Sequence, residues 1–176
     1  MEALRCSHFE GEVDDLALDL IGRQLTIRDH DSILSAVVIE TEAYGGPEDP
    51  ASHAAFRPGG RAAVMADAPG TVYIYAAYGM YPCFNIVCGP EGRPSAILVR
   101  GVSMTATRTT VLGPGRVSRA LGITLLDHGT TVCSHRFAVS STRHHLPVVV
   151  TGRVGITRGV DIPWRFVTDV TSLNEG

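Results

Sequence analysis

Carboxylates and a phenol alternate along one β-branched segment of the sequence. In an extended strand successive side chains point to opposite faces, so Glu40, Glu42 and Tyr44 would share one face. A second acidic pair, Glu48–Asp49, and the pair Ser52–His53 follow directly in a glycine-rich loop. Loops at strand ends commonly carry chemistry. A solvated polar strand face would show the same alternation and is the alternative.

Tyrosines form the second cluster that could do chemistry. All five lie within 38 residues of one another: Tyr44, Tyr73, Tyr75, Tyr78 and Tyr81. Tyr73 and Tyr75 share one face of a predicted strand, while Tyr78 and Tyr81 flank the Gly-Met pair of a predicted turn. Tyrosine suits stacking on nucleobases because its hydroxyl end tolerates water, whereas packing in the core is the ordinary alternative.

The charged residues narrow the possible chemistry. All 15 basic residues are arginine, so a Schiff base on a lysine side chain and the lysine-dependent phosphate loop are excluded. Residues 1–50 hold 12 acids and 3 arginines, a net charge of −9, whereas residues 51–176 hold 6 acids and 12 arginines, a net charge of +6. A basic body is one footprint of a nucleic-acid-binding protein, although an unevenly charged solvated surface is the alternative.

Length and composition indicate an ordinary globular protein. With 176 residues, 44% hydrophobic and 19% charged, the chain fits one domain over residues 1–176 and excludes collagen-like, coiled-coil and disordered classes. No apolar run approaches the roughly 18–20 residues of a membrane span, and the N-terminus lacks the layout of a signal peptide. We therefore expect a cytoplasmic protein with no membrane partner.

The four cysteines form no C-x-x-C pair, so we expect reduced and mostly buried thiols. They are Cys6, Cys83, Cys88 and Cys133. A zinc site from Cys133, His135 and the pair His144–His145 is an alternative, but its spacing matches no compact zinc motif.

The hydrophobic pattern predicts an α+β domain built on antiparallel pairing. A helix over residues 12–21, with an acidic first turn, ends at Gly22. The other predicted elements are strands over residues 36–44, 71–75, 83–88, 96–100, 147–156 and 164–167, and a short helix over residues 116–121. The strands over residues 71–75 and 83–88 are expected to pair as a hairpin.

Several motifs, in order along the chain, closely resemble the alkyladenine (3-methyladenine) DNA glycosylase family. The two longest are Glu40-Thr-Glu-Ala-Tyr-Gly-Gly-Pro-Glu-Asp with Ser52-His53, and Pro69-Gly-Thr-Val-Tyr-Ile-Tyr-Ala-Ala-Tyr-Gly-Met-Tyr with Asn85. Three shorter ones follow: Leu98-Val-Arg100, Gly113-Pro-Gly-Arg-Val with Ala120-Leu-Gly-Ile, and Arg153-Val-Gly-Ile. The resemblance covers roughly residues 12–167.

This resemblance implies a fold and a reaction. The fold would be a single glycosylase domain over residues 1–176, with a curved, mostly antiparallel sheet, peripheral helices and a protruding tyrosine-tipped hairpin, similar to the C-terminal domain of formyltransferases. The reaction would be the monofunctional excision of alkylated or deaminated purines (3-methyladenine, hypoxanthine and ethenoadenine among them) from double-stranded DNA, by base flipping and water attack at C1′. We expect a monomer that needs no metal and no other cofactor.

By the same resemblance, three residues would carry the hydrolysis. Glu42 would be the general base that activates water, and Arg100 and the backbone carbonyl of Val154 would help to hold that water. An adjacent arginine is expected to favour the ionised form of the glutamate. Absence of lysine agrees with a water nucleophile, since only the terminal amine could form a Schiff base.

The resemblance also assigns the contacts with DNA. Tyr44, His53 and Tyr75 would sandwich the flipped base, Asn85 would line the pocket floor and disfavour the exocyclic amine of guanine, and Leu98 would lie near the pocket. Tyr78 would wedge into the gap left in the base stack, with Met80 and Arg116 also at the DNA.

Two segments depart from the family pattern. The loop over residues 56–65 lacks the usual arginine-asparagine pair, and the segment between Arg100 and Gly113 is shortened where the family usually has a helix. A non-catalytic nucleic-acid-binding module on the same fold is therefore the main alternative function. An RNA-binding or RNA-processing domain that uses the tyrosines is a third.

Overall fold

In the computed structural model, which describes residues 2–29 and 32–168, the first long element is an amphipathic helix. This helix, α1 (Val13–Leu20), buries Val13, Leu16, Ala17 and Leu20, and its first turn carries two aspartates that favour the positive end of the helix dipole. The chain leaves it through Gly22, whose φ of +85° suits glycine. The predicted helix is confirmed.

Nine strands and two further α-helices follow within the described residues. They are β1 (Arg23–Asp29), β2 (Ser32–Tyr44), α2 (His53–Phe56), β3 (Val72–Ala77), β4 (Tyr81–Val87), β5 (Ala96–Met104), β6 (Thr110–Leu112), α3 (Pro114–Ala120), β7 (Phe137–Arg143), β8 (Val148–Thr151) and β9 (Arg165–Thr168). Short 3-10 segments cover Cys6–Glu10, Gly60–Ala66 and Leu125–Asp127.

All paired strands run antiparallel in one open sheet, which confirms the α+β prediction. The main path is β3-β4-β5-β2-β1-β7, with β6 beside β5, β9 beside β2 and β8 beside β9. β3 and β4 form the predicted hairpin. β5 continues into β6 as a second hairpin, so a strand pair occupies the segment between Arg100 and Gly113 that the sequence showed to be shortened.

The two faces of the sheet carry two apolar clusters of different size. The larger one packs α1 and Phe9 against one face and includes the stacked rings of Phe84 and Phe137, with centroids 5.8 Å apart. The smaller one includes Met65 of the 3-10 segment and Tyr73 of β3. Alternation along β3 puts Tyr73 opposite its neighbours Val72 and Ile74, which belong to the larger cluster.

The cysteine prediction is half wrong. Cys6 and Cys133 form a disulfide between segments that lie 127 positions apart but meet in the fold, whereas Cys83 and Cys88 are free and buried as predicted. Cys133 is therefore not available to the alternative zinc site. Across residues 2–29 and 32–168, no group of three or more His, Cys, Asp or Glu side chains could hold a metal ion. No helix in the described part of the chain is long and apolar enough to cross a membrane.

Candidate active site

The predicted alternation along β2 is confirmed. Thr41 points toward α1 and donates a hydrogen bond to the carbonyl oxygen of Ala17 at 2.7 Å. Glu40, Glu42 and Tyr44 point to the other face, where the hydroxyl of Tyr44 donates to Oε2 of Glu42 at 2.8 Å. The main core lies beneath one face of β2, and a row of polar groups lies on the other.

Arg100 reaches these carboxylates because the ladder between β2 and β5 is irregular there. Glu40 pairs with Gly101 and Thr41 pairs with Val99, which leaves Arg100 as the extra residue of a bulge. Bulges commonly redirect a side chain. A Cβ on Gly101 would lie 2.8 Å from the Cβ of Glu40, so glycine permits this close approach of the strands.

Glu40 is held by two guanidinium groups. Its Oε1 accepts hydrogen bonds from Nε of Arg100 at 2.9 Å and from Nε of Arg165, on β9, at 2.8 Å. Nε of Arg100 also lies 3.4 Å from Oε1 of Glu42. Glu40 therefore orients Arg100, whose charge is shared between the two carboxylates.

Glu42 is fully buried and has contacts on both carboxylate oxygens. Its Oε1 accepts from the backbone amide of Val154 at 2.7 Å, and its Oε2 accepts from Tyr44. Burial raises the pKa of Glu42 above the usual glutamate range, although Arg100 and the Val154 amide both act to lower it. The expectation that Arg100 favours the ionised form is confirmed, but desolvation of the buried carboxyl has the larger effect and leaves the pKa of Glu42 raised.

Arg100, Tyr44 and Val154 border a cavity of about 200 Å³, and Glu42 lies buried behind them and is not one of its lining residues. Seven of the predicted site residues line it: Tyr44, His53, Tyr75, Asn85, Leu98, Arg100 and Val154. Further lining residues are Ala51, Phe56, Met65, Tyr73, Ala96, Gly155 and Ile156. The structure thus brings together residues that span more than a hundred positions of the sequence.

One wall of the cavity is aromatic. The rings of His53 and Tyr75 meet edge to face with centroids 4.6 Å apart, and Nδ1 of His53 is 2.7 Å from the hydroxyl oxygen of Tyr73. Burial, with a smaller contribution from Arg57, lowers the pKa of His53 below the usual histidine range. Burial also raises the pKa of Tyr73 to about 12. At neutral pH this wall is therefore uncharged.

Asn85 is fixed on the cavity floor beside Leu98. Its Nδ2 donates to the carbonyl oxygens of Tyr73 at 3.1 Å and of Cys83 at 2.9 Å. Because both amide hydrogens are used by the main chain, the carbonyl oxygen of the side chain is the group left to meet a ligand.

Two residues from separate sequence motifs, Asp49 and Arg153, meet in the loops around the cavity, and the sequence did not predict that they pair. Arg153 forms a buried two-pronged ion pair with Asp49, at 2.6 and 2.8 Å. No local signal could identify this pair, since its members are 104 positions apart. The strand predicted over residues 147–156 is too long, because Arg153 turns away from β8 to meet Asp49. Ser52 accepts from the amide of Ala54 as the N-cap of α2.

Three predicted DNA-contacting residues lie outside the cavity. Tyr78 and Met80 are at the turn of the β3–β4 hairpin, where Tyr78 has a φ of +51° and is 92% exposed. Arg116 is exposed on α3, next to Gly115, which packs against Tyr81 at the base of that turn. A non-glycine residue with positive φ is uncommon and can mark a functional position.

The family of the chain follows from comparison with known proteins. The methylpurine-DNA glycosylase family model matches residues 7–172. The chain belongs to this family. A methylpurine-DNA glycosylase is a hydrolase of N-glycosidic bonds in DNA, and the resemblance that the motifs indicated is confirmed.

Three relatives of this methylpurine-DNA glycosylase carry the name "Putative 3-methyladenine DNA glycosylase". The one from Ehrlichia ruminantium is 38% identical over 176 residues, which cover 97% of this chain and 92% of the relative. The one from Rhodopseudomonas palustris is 37% identical over 172 residues, covering 90% and 81%. The one from Rickettsia rickettsii (strain Sheila Smith) is 36% identical over 168 residues, covering 94% and 90%.

Proposed function

We propose that this DNA glycosylase flips alkylated or deaminated purines out of double-stranded DNA and excises them by water attack at C1′. Candidate substrates are 3-methyladenine, hypoxanthine and ethenoadenine. One observation carries the proposal: the carboxylate of Glu42 is buried against Tyr44, Arg100 and Val154, which line a cavity with an aromatic wall. Such a cavity fits a flat base, and the carboxylate can receive a proton from water.

Glu42 acts as the general base in this mechanism. Water sits between Glu42, Arg100 and the backbone carbonyl of Val154, and attacks C1′ as the bond to the base breaks. The proton passes to Glu42, and the departing purine takes the bonding electrons. Arg100 favours the ionised glutamate before the reaction, and a positioned base of this kind contributes about 10²–10⁴ in rate.

Base flipping places the purine between Tyr44 on one side and His53 and Tyr75 on the other. Unstacking costs a few kcal/mol, least for a damaged or mispaired base. Stacking contributes roughly 1–3 kcal/mol per base, and insertion of Tyr78 into the vacated stack offsets the remainder. Met80 and Arg116 contact the DNA around this wedge.

Asn85 sets a steric limit at the edge of the base. Its amide is held by two backbone carbonyls, so it cannot rotate to make room. We assign to it the exclusion of the exocyclic amine of guanine. Since its oxygen can still accept a hydrogen bond, this exclusion depends on space and not on polarity.

The test is single-turnover excision in EDTA from duplexes that carry one hypoxanthine or one ethenoadenine. Methylated genomic DNA serves for 3-methyladenine, an undamaged duplex is the control, and alkali converts abasic sites to strand breaks. We expect breaks at the lesion only. Specific binding without product from any lesion would favour the binding-module alternative, and preference for a matched RNA duplex would favour the RNA alternative.

A further inference from the structure

A buried ion pair joins the two loops that complete the cavity. The side chains of Arg153 and Asp49 are both excluded from solvent. Nη1 of Arg153 donates to one carboxylate oxygen at 2.6 Å, and Nη2 donates to the other at 2.8 Å. A two-pronged pair of this kind fixes direction as well as distance. The loop after β2 and the loop after β8 are therefore tied at one point.

Arg153 fixes the groups around the stacking ring of Tyr44. Its Nη1 also donates to the carbonyl oxygen of Ala43 at 2.9 Å, and its Nη2 donates to that of Gly159 at 3.4 Å. The guanidinium lies between two rings, with Cζ 4.9 Å from the centroid of Tyr44 and 5.5 Å from that of Trp164. The planar cation thus packs against a ring that lines the cavity.

Asp49 fixes the approach to His53 from the other loop. Its carboxylate accepts from the backbone amides of Gly45 at 3.0 Å and Ala51 at 3.1 Å. Ala51 lines the cavity, and Ser52 then caps α2, which begins at His53. The path of this loop therefore depends on the same carboxylate that accepts two hydrogen bonds from Arg153.

We propose that Asp49 and Arg153 are positioning residues for hydrolysis of the glycosidic bond. Arg153 directly precedes Val154, whose amide donates to Glu42 at 2.7 Å. The ion pair holds that amide on the general base, and it holds the ring of Tyr44 against the flipped purine. This inference rests on the proposed function, because it assumes that Glu42 is the base.

A purely stabilising role predicts different behaviour. Replacing a buried ion pair by uncharged groups of similar volume often leaves stability unchanged, whereas removing one partner leaves an unpaired buried charge. The double variant D49N/R153M removes both charges together. A stabilising pair would then be dispensable, but a positioning pair would not.

The pH dependence of excision separates the two roles further. The groups that face Glu42 are Glu40 and Tyr44 on β2, Arg100 on β5 and the Val154 amide. Of these, the pair holds the amide and the ring of Tyr44, whose hydrogen bonds both lower the pKa of Glu42. When either group is displaced, a contact that lowers the pKa of Glu42 is lost, so the pKa rises and the acidic limb of the rate profile moves to higher pH.

The experiment measures single-turnover excision of hypoxanthine against pH, together with the thermal midpoint, for wild type and D49N/R153M. We expect a midpoint close to wild type, a rate about 10²-fold lower at neutral pH, and an acidic limb at higher pH, because a small displacement of reacting groups can cost this much. The variant Arg153→Lys keeps the charge but loses the planar fork, so we expect the same changes at smaller amplitude.

A second ion pair provides the matched control. Arg23 grips Asp19 through two bonds of 2.9 Å and also donates to the carbonyls of Ser140 and Ser141, in a part of the sheet that does not line the cavity. The double variant D19N/R23M should keep the wild-type rate and pH profile. If D49N/R153M has the same excision rate and pH profile as D19N/R23M, the positioning role is overturned. If D49N/R153M does not fold, Arg153→Lys decides: an Arg153→Lys enzyme as fast as wild type overturns the positioning role.

Glu42→Gln is measured beside these variants to separate the two proposals. An active Glu42→Gln enzyme would overturn the proposed mechanism, and with it the reason for the positioning role. An inactive Glu42→Gln enzyme beside a D49N/R153M enzyme of wild-type rate would overturn the positioning role alone.

Discussion

Two carboxylates on the same strand face have different partners, and this difference separates their roles. Glu40 accepts from two guanidinium groups and orients Arg100, whereas Glu42 is fully buried and lies 3.4 Å from Arg100. Alternation along β2 predicts that the two share a face. It does not predict the pKa of Glu42, because desolvation depends on burial, nor the contact from Val154, which comes from 112 positions away.

Replacing Arg100 by glutamine should slow excision and shift its pH dependence. The general base must be ionised, and Arg100 lowers the pKa of Glu42, so its loss raises that pKa and moves the acidic limb to higher pH. We expect a rate about 10²-fold lower at neutral pH. Single-turnover rates across pH measure both effects.

Arg165→Gln is the control for this shift, because the guanidinium of Arg165 hydrogen-bonds to Glu40, while its backbone pairs with that of Glu42 in the strand ladder. Its acidic limb should move less than that of Arg100→Gln. An Arg100→Gln enzyme whose limb stays in place, or moves to lower pH, would contradict the role given to Arg100.

At the scale of elements, the hairpin was predictable and its surroundings were less so. The two β-branched and aromatic segments that contain Tyr73 and Phe84 flank a Gly-Met turn, and this pattern predicts β3 and β4. β1, β6 and β7 were missed. β7 (Phe137–Arg143) has a polar second half and little alternation, and it is a strand because β1 lies beside it. Pairing between distant segments therefore decides structure that local pattern leaves open.

The hairpin turn should contribute to DNA affinity and little to stability. Tyr78 is 92% exposed, so Tyr78→Ala removes almost no buried surface. If the ring inserts into the base stack, its loss should weaken binding to a lesion-containing duplex about 5- to 150-fold, the equivalent of one stacked base. Fluorescence anisotropy titration and thermal unfolding measure the two quantities.

Leu126→Ala is the matched control for Tyr78, because Leu126 is equally exposed, at 91%, in a different segment. It should leave both affinity and thermal midpoint unchanged. Equal DNA affinities of the Tyr78→Ala and Leu126→Ala variants would exclude insertion of Tyr78 into the base stack.

At the scale of the whole molecule, the charge distribution predicted a nucleic-acid partner, and membership of a DNA glycosylase family agrees with it. The strand pattern and the family resemblance both predicted a mostly antiparallel sheet, which the structure contains. The disulfide between Cys6 and Cys133 was not predictable, because the cysteines carry no paired motif and only the fold brings them together. Seven of the eight predicted catalytic and base-binding residues line one cavity, and the eighth, Glu42, lies buried against two of them, Tyr44 and Val154.

Binding of DNA should be strongly salt-dependent, and Arg116 should account for one part of it. Each neutralised phosphate contributes about −0.9 to the slope of log affinity against log salt concentration. Arg116→Gln should therefore reduce the magnitude of the slope by about 0.9, with little change in lesion preference. Titrations at several salt concentrations measure the slope.

Arg143→Gln is the control for this prediction, since Arg143 lies on β7 at the far end of the main sheet path from the hairpin. Its slope should match that of wild type. A slope that Arg116→Gln leaves unchanged would exclude Arg116 from the phosphate contacts.

The central claim is that buried Glu42 activates the water that releases a damaged purine. Its most direct test compares wild type with Glu42→Gln on a duplex with one hypoxanthine, by measuring binding and single-turnover excision on the same samples in EDTA. The account predicts that the variant binds the duplex as tightly as wild type and excises the base at least about 10²-fold more slowly. Excision at the wild-type rate by Glu42→Gln would contradict it.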